Sequence, residues 1–299
     1  MTAQQELARV RVPATTANLG PGFDSFGVAL DLYLDARAVP PGDHRIVPSG
    51  EGADHVPTGD DNLLWESLVA FCVRHHVGVP DVTVEVDNAI PLARGLGSSS
   101  AAIVAGIGLA RVLTGVAVTD VSAVALAAEI EGHPDNVAPA VIGGFVVCGA
   151  GDDGELVVRT ACPSARLRPV VFIPAEQQLT SEARAVLPET LGRTDVATQA
   201  ARAGLVAGAI AGLWPPIPTA AGDRLHEPPR LGVMGPSSDL LGALRAAGVH
   251  AWLSGAGPSV AAVVAAGEVE TLVGLAPDAW TPRACRWDRA GAMSGLRTR

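Results

Sequence analysis

The sequence contains no lysine; all 21 of its Lys and Arg positions are arginine. Without a lysine amine, the chain cannot form a Schiff base with a carbonyl substrate or with pyridoxal phosphate. It also lacks the lysine that contacts ATP phosphates in P-loop proteins and in protein kinases. Any phosphate group that this chain binds must therefore meet backbone amides, hydroxyls, arginine or a metal ion.

Aromatic residues and cysteines are scarce as well. Phe, Trp and Tyr make up 4% of the chain, which does not suit a base-stacking nucleic-acid module, and a formal net charge of −10 disfavours nucleic acids and acidic membranes. The four cysteines lie far apart without a C-x-x-C pair, so the sequence predicts neither a zinc site nor a disulfide framework. We expect reduced thiols, no nucleic-acid partner and no membrane partner.

Long apolar runs are missing too. The longest, around 101–110 and 203–214, fall short of the roughly 20 residues that a membrane span requires, and we interpret both as buried helices. Near the N-terminus, Glu6, Arg9 and Arg11 occupy the stretch where a signal peptide would be apolar. These features predict a cytoplasmic protein.

The 299 residues are 48% hydrophobic, enough for two moderate cores, and their patterns mix strands and helices. We predict two α+β domains, 1–160 and 161–299. Strand patterns fall at 28–38, 82–86, 168–174, 249–254 and 259–265, with a hairpin over 143–160. Helix patterns fall at 60–76, from the turn at 95–100 to about 113, and at 181–187, 195–213 and 237–247. The proline-rich tract 214–223 predicts a loop.

The segment PLARGLGSSSAAIVAG at 91–106, which we call the Gly/Ser segment, carries the strongest chemical signal. Gly95 and Gly97 permit backbone conformations closed to other residues, and the serines from Ser98 to Ser100 stand where a helix begins. A helix N-terminus of this kind binds anions, so the segment predicts a phosphate site that needs no lysine. A plain Gly/Ser turn with a serine N-cap fits the same residues.

Two further loops connect predicted strands. VPATTANLGPGFDSFGVAL at 12–30 holds Asn18 and Asp24 among glycines, and LSGAGPSVAAVV at 253–264 is Gly-rich. Loops carry function more often than strands do. Asn18 and Asp24 also fit simple turn formers, and the second loop fits a hairpin turn.

Taken together and in this order, the three segments resemble the signature motifs of the GHMP kinases, the superfamily of galactokinase, homoserine kinase and mevalonate kinase. The resemblance spans nearly the whole chain. It implies a two-domain α+β fold: an N-terminal ribosomal-protein-S5-like domain whose left-handed βαβ unit holds ATP, and a ferredoxin-like C-terminal domain that closes over the substrate.

PATTANLGPGFD at 13–24 and EGHPDNVAPAVIGGF at 131–145 are similar to one branch of this superfamily, the kinases that act on L-homoserine. That resemblance implies ATP-dependent phosphorylation of the homoserine hydroxyl to O-phospho-L-homoserine, a step toward threonine, and a homodimer. Two alternatives stay open. One is another GHMP kinase of the mevalonate or sugar type, and the other is a non-catalytic binding protein with the same fold.

Carried over residue by residue, the resemblance assigns Asn18, Asp24 and His133 to the amino-acid substrate and Arg184 and Arg230 to its carboxylate. One carboxylate for the ammonium group and a planar guanidinium for the carboxylate suit a zwitterion. A solvated surface charge is the alternative for each arginine. The resemblance gives catalytic roles to Asp24, which orients the hydroxyl or removes its proton, and to Thr180 near the γ-phosphate; a helix N-cap is the alternative for Thr180.

The resemblance also implies a nucleotide site and a Mg²⁺ site. Ser99 and Glu131 are the implied Mg²⁺ ligands, with Glu129 as the second choice for the carboxylate. Asn62 corresponds to an adenine-contacting position and equally fits a helix N-cap. The implied ATP-binding residues are Asn62, Pro91, Arg94, Gly95, Leu96, Gly97, Ser98, Ser99 and Ser100.

Overall fold

The computed structural model describes residues 5–43 and 45–293. The first half contains β1 (Ala8–Ala17), β2 (Phe26–Val39), β3 (Ile46–Gly50), α1 (Leu63–Arg74), β4 (Thr83–Asn88), α2 (Ser98–Thr114), α3 (Asp120–Glu131), α4 (Pro134–Ile142), β5 (Phe145–Ala150) and β6 (Leu156–Ala161). The second half contains β7 (Leu167–Pro174), α5 (Thr180–Ala185), α6 (Arg193–Ile210), α7 (Glu227–Leu231), α8 (Gly235–Ala246), β8 (His250–Leu253), β9 (Val260–Ala265), α9 (Val269–Val273) and β10 (Trp280–Ala284). Short 3₁₀ turns occur at Pro218–Ala220, inside the predicted loop, and at Ala266–Glu268.

Strand β2 is the centre of the first sheet. The sheet has the order β3-β4-β2-β5-β6, with β1 paired to β2 off this path. Along β2, Leu30, Leu32 and Leu34 are buried while the residues between them are partly exposed, which is the alternation that predicted a strand here. Only β3 and β4 run parallel among the paired strands described, and α1 connects them. They form the βαβ unit that the resemblance implied.

Helices α1 to α4 build the main core against this sheet. α1 and α2 pack at very short range, since a Cβ atom on Gly106 would lie 2.2 Å from the carbonyl oxygen of Leu64. Only glycine allows that approach. The beginning of α2 lies beside the end of β1, where the Thr15 amide donates to the Leu96 carbonyl at 3.1 Å.

The two longest apolar runs of the sequence lie in helices. Residues 101–110 belong to α2 and are nearly all buried, as predicted. The run 203–214 covers the end of α6 and the turn after it, where Leu213 and Trp214 are exposed, so the prediction of a buried helix holds there only in part. Within the described residues, no helix has the length and apolar character needed to cross a membrane.

The second sheet has the antiparallel order β10-β7-β9-β8. With α8 and α9 as connections, the chain follows a β-α-β-β-α-β path, which is the predicted ferredoxin-like arrangement. Alternate residues face opposite sides: Val171 and Ile173 join the main core, whereas Val170 and Phe172 pack with α8 and α9 in a second core. The sheet is therefore covered on both faces.

The chain returns to the first sheet after β10. Trp287 forms an isolated bridge with Leu30, and the Tyr33 hydroxyl donates a hydrogen bond to Asp288 at 3.0 Å. Burial and the nearby Asp288 carboxylate raise the pKa of Tyr33 to about 12. The first sheet ends at Ala161 and the second begins at Leu167. The division into domains 1–160 and 161–299 remains a prediction, since the end of the described chain packs on the first sheet.

Candidate active site

A cavity of about 360 Å³ is lined by residues from both halves of the chain. One end is mainly apolar, lined by Leu34, Ile46, Pro48, Val56, Pro57, Leu63, Leu64, Val86, Leu92, Leu96 and Ala102. The other end carries Asn18, Asp24, Glu131, His133, Asp135, Asn136, Arg184 and Arg230. The Gly/Ser segment lies at this same cavity, so it can contact a ligand that spans both ends.

Most of the predicted site residues line this one cavity. They are Asn18, Asp24, Asn62, Arg94, Gly95, Leu96, Gly97, Ser98, Ser99, Glu131, His133, Thr180, Arg184 and Arg230. Pro91 and Ser100 do not line it. Ser100 is fully buried, and its hydroxyl donates to Glu131 at 3.1 Å, so it lies directly behind the lining.

The N-terminus of α2 opens toward the cavity. Gly97 is the N-cap with a φ of 69°, and no side chain among the described residues caps this end by a hydrogen bond, so the serine N-cap interpretation is wrong. A Cβ atom on Gly97 would also lie 2.1 Å from Thr15 Oγ1. Glycine is thus required by both the left-handed backbone and the contact with β1. The helix dipole leaves partial positive charge at this end.

Ser99 and Glu131 form the oxygen pair predicted for Mg²⁺. The Ser99 hydroxyl donates to Glu131 Oε1 at 2.7 Å, although the two residues come from α2 and from the end of α3. Hydroxyl and carboxylate oxygens are the hard ligands that Mg²⁺ prefers, and the ion usually takes its remaining ligands from phosphates and water. The residues therefore fit a Mg²⁺ ion. Glu129 instead pairs with Arg74 on the exposed surface, which favours Glu131.

The loop after β1 has an unusual backbone. Asn18, Leu19 and Asp24 all have positive φ, at 67°, 47° and 52°. The Asn18 side chain shapes the loop, because its Oδ1 accepts from the Asp24 amide at 3.0 Å and its Nδ2 donates to the Gly255 carbonyl at 2.8 Å. The turn-forming interpretation of Asn18 is therefore confirmed. Through Gly255, the side chain also binds this loop to the β8–β9 hairpin of the second half.

Asp24 and Arg184 bind each other across the cavity. Two hydrogen bonds join them, Arg184 Nη2 to Asp24 Oδ1 at 2.7 Å and Nη1 to Oδ2 at 3.1 Å, and each side chain is about one third exposed at 34% and 35%. The hydrogen bonds that Arg184 donates to Asp24, more than the charge of Asp24, raise the pKa of Arg184. The residues that the resemblance assigns to opposite ends of one amino acid thus form a bidentate ion pair.

Arg230 is buried, at 2% exposure, so the surface-charge interpretation is wrong for it. Its Nε donates to the Ala183 carbonyl at 3.1 Å, and its Nη1 lies 3.1 Å from both the Gly255 carbonyl and His226 Nδ1. Burial, and then the charge of Arg184, lower its pKa. Within the described part of the chain, Nη2 has no hydrogen-bond partner and remains available to an anion in the cavity.

Phe23 lies against both arginines. The guanidinium carbons of Arg184 and Arg230 lie 5.6 Å and 5.5 Å from the centre of its ring, and the His226 ring stacks on it at 5.4 Å. Cations within about 6 Å of an aromatic face are attracted to it. Phe23 was not among the predicted site residues, although it directly precedes Asp24 in the motif at 13–24.

The HPDN string contributes more than His133. His133 Nδ1 lies 2.6 Å from Asp135 Oδ1, and Asn136 donates to the same oxygen at 3.3 Å while accepting from Thr15 Oγ1 at 2.7 Å. Burial disfavours a charged His133, but the hydrogen bond and charge of Asp135 outweigh it and raise its pKa. Sequence reasoning missed Asp135, Asn136 and Thr15. Two polar residues at the start of a largely apolar helix were the available signal.

Two helix-cap alternatives are now decided. Asn62 is the N-cap of α1: its Oδ1 accepts from the Leu64 amide at 2.9 Å, and its Nδ2 donates to the Pro57 carbonyl at 2.6 Å. Thr180 is the first residue of α5, with Leu179 as the N-cap, so the cap interpretation of Thr180 is wrong. Thr180 lines the cavity.

Comparisons with known proteins agree with this geometry. The family described as "GHMP kinases N terminal domain" matches residues 62–144. The curated "Homoserine kinase" of Streptomyces coelicolor is 42% identical over 291 residues, covering 95% of this chain and 93% of that protein. A curated "Homoserine kinase" of Thermus thermophilus is 43% identical over 270 residues, covering 90% of each.

Solved structures share the fold. The homoserine kinase of Cytophaga hutchinsonii superposes with a TM-score of 0.80 at 24% identity, covering 97% of this chain and 98% of the other. The structure described as "L. major mevalonate kinase in complex with R-mevalonate" superposes with a TM-score of 0.67 at 14% identity, covering 97% and 99%. At these identities, the structures bear on the fold alone.

Proposed function

We propose the following function for this chain, which belongs to the homoserine kinase family, a branch of the GHMP kinases. It is an ATP-dependent kinase that transfers the γ-phosphoryl group to the hydroxyl of L-homoserine, giving ADP and O-phospho-L-homoserine for threonine synthesis. One observation carries this proposal: a single cavity joins the open N-terminus of α2 to the Asp24–Arg184 pair. We also propose that the enzyme works in the cytoplasm.

ATP would occupy the apolar end and the Gly/Ser segment. The aliphatic side chains there suit the adenine ring. The triphosphate would meet the first amides of α2 and the hydroxyls of Ser98 and Ser99, which requires no lysine. Asn62 borders this end, but both ends of its amide already bond to the backbone, so we give it a supporting role.

Ser99 and Glu131 would hold the Mg²⁺ that accompanies ATP. When bound there, the ion would offset negative charge on the phosphate oxygens. The remaining work falls to the chain itself, because phosphoryl transfer through a loose transition state depends mainly on positioning and charge stabilisation.

Homoserine would exchange partners with the Asp24–Arg184 pair. Its ammonium group replaces the guanidinium at Asp24, and its carboxylate replaces Asp24 at Arg184, with a further donor from Arg230 Nη2. A molecule with only one of the two charges would leave Asp24 or Arg184 without its partner in a partly buried site. The Asp24–Arg184 pair thus selects zwitterions, because it disfavours binding of molecules that carry only one of the two charges.

The hydroxyl oxygen attacks the γ-phosphorus as the bond to the β–γ bridging oxygen breaks. With its carboxylate engaged by the ammonium group, Asp24 would position the substrate rather than remove the hydroxyl proton. The hydroxyl proton would then leave late, to a phosphoryl oxygen. Thr180, at the first turn of α5, would donate to the transferring group, and the buried His133–Asp135 pair would form a rigid polar wall behind it.

A coupled ADP-release assay with Mg-ATP tests this proposal. L-Homoserine is compared with mevalonate, galactose, L-threonine and L-serine at matched concentrations. We expect turnover that strongly favours homoserine. ADP release with a different alcohol alone would contradict the substrate assignment, and ATP binding without any turnover would favour a non-catalytic protein.

A further inference from the structure

Arg94 connects the Gly/Ser segment to the second half of the chain. Its guanidinium donates to three backbone carbonyls: Nε to Pro174 at 3.0 Å, Nη1 to Leu92 at 2.8 Å and Nη2 to Ala175 at 2.7 Å. Pro174 is the last residue of β7 and Ala175 follows it. The two residues lie 80 and 81 positions after Arg94 in the chain. All three nitrogen atoms of the side chain are thus engaged with the backbone.

A second link reinforces the first. The Ala93 carbonyl accepts a hydrogen bond from the Gln178 amide at 2.9 Å, and Ala93 has a positive φ of 53°. The segment 174–178 leads directly into α5, which begins at Thr180 and carries Arg184. The loop beside the proposed phosphate site is therefore bonded to both ends of the short segment that precedes the proposed substrate helix.

We propose that Arg94 is a positioning residue that couples nucleotide binding to amino-acid binding; this inference rests on the function proposed above. Phosphates that order the Gly/Ser segment also hold Arg94, and through the Pro174 and Ala175 carbonyls Arg94 holds the segment that leads into α5. Arg184 then meets homoserine with less conformational freedom to lose. Occupancy of one site raises affinity at the other, and the effect is reciprocal.

The coupling is measured by calorimetric titration of homoserine into the full-length protein, without and with saturating AMP-PNP and Mg²⁺. We expect the nucleotide analogue to tighten homoserine binding by at least about 5-fold in the wild type, and by less than about 2-fold in Arg94→Gln. Arg168→Gln is the matched control. The Arg168 guanidinium also donates to backbone carbonyls, those of Ala165 and Leu167, but only within its own segment, so its loss should leave the ratio unchanged.

Arg94→Lys separates the proposed role from direct phosphate binding. Lysine keeps the positive charge but cannot reproduce the planar fork that reaches three carbonyls. The proposal expects Arg94→Lys to lose the coupling as Arg94→Gln does. If Arg94 were a phosphate ligand instead, Arg94→Lys would keep both ATP affinity and coupling, and that result would overturn the proposal.

Gln178 tests the same connection without changing any charge. Gln178→Pro removes the backbone N–H that donates a hydrogen bond to the Ala93 carbonyl. Gln178→Ala keeps this backbone N–H and removes only the side chain, which donates to Glu182. We expect coupling to fall in the proline variant alone. The two Gln178 variants test the proposal even if the Arg94 variants fail to fold, as judged by circular dichroism. Equal coupling in Gln178→Pro and Gln178→Ala would contradict the proposal.

Wild-type turnover is measured first, so that the two proposals fail separately. A wild type that does not phosphorylate homoserine refutes the proposed function. A wild type that does so, but binds homoserine equally with and without AMP-PNP, refutes the coupling and leaves the function standing.

Discussion

Asp24→Asn removes the charge that we assign to the homoserine ammonium group while keeping nearly the same shape. In the structure, Asp24 makes two hydrogen bonds to Arg184 and its own amide donates to Asn18. The backbone contact does not depend on the side-chain charge, so the loop should keep its conformation. The variant should still bind ATP normally, because Asp24 is not part of the Gly/Ser segment.

The size of the effect follows from the geometry. A hydrogen bond to a charged group contributes about 1.5–3 kcal/mol, and Asp24 is one third exposed, which favours the lower half of that range. A loss of about 2 kcal/mol corresponds to about 30-fold in kcat/KM for homoserine. For 4-hydroxybutanoate, which lacks the ammonium group, kcat/KM should stay constant or rise, because Arg184 no longer has to leave Asp24.

The informative quantity is therefore the ratio of kcat/KM for homoserine to that for 4-hydroxybutanoate, measured by ADP release. It should fall by at least about 30-fold in Asp24→Asn. Asp35→Asn is the control, since Asp35 also pairs with arginine but lies on the outer side of the first sheet. A ratio that stays at the wild-type value would refute the assignment of Asp24 to the ammonium group, and an equal rise in the KM for ATP would show that the variant disturbs the whole cavity.

Three further predictions follow from other parts of the molecule. Glu131→Gln should raise the Mg²⁺ concentration for half-maximal activity by about 10-fold or more, whereas Glu129→Gln, which alters an exposed pair, should not. Phe23→Leu should raise the KM for homoserine several-fold with little change in the KM for ATP. The reason is that a cation–π contact contributes about 0.5–1 kcal/mol for each of the two guanidinium groups on the ring. Phe23→Tyr keeps the aromatic face and should restore the wild-type KM for homoserine. Burial lowers the pKa of His250 to about 4. As the pH falls from about 6.5 to 4, the unfolded chain therefore takes up a proton at this histidine before the folded chain does. The free energy of unfolding should decrease by about 3 kcal/mol over this range. Urea unfolding of His250→Gln should show a flatter pH dependence over this range, and an unchanged one would contradict the assignment.

Local patterns predicted much of the fold. The alternation along 28–38 identified the middle of β2, and the glycines of 95–97 marked the beginning of α2. The hairpin over 143–160 is present as β5 and β6, which pair antiparallel. These patterns are reliable because each reflects one element with one buried face, or a backbone conformation that only certain residues adopt.

Other elements escaped prediction for identifiable reasons. In α3, alanine and other small apolar residues occur on all sides, so no single face stands out. α4 contains Pro139 in its interior, which argues against a helix in any interpretation of the sequence. With α4 unrecognised, Asp135 and Asn136 had no structural context, and their partner Thr15 lies 121 residues from Asn136.

The sequence by itself indicated the class of chemistry, through three motifs that resemble those of the GHMP kinases. The absence of lysine and the segment at 91–106 favoured phosphate binding at a helix N-terminus, because side-chain inventory and local backbone preference are properties of a few neighbouring residues. Only the tertiary structure decided which groups meet. Asp24 and Arg184 are 160 residues apart, Asn18 and Gly255 are 237 apart, and Arg94 binds carbonyls at the end of β7. No local pattern encodes these pairings, since they arise only when the two sheets pack and bring their loops to one cavity.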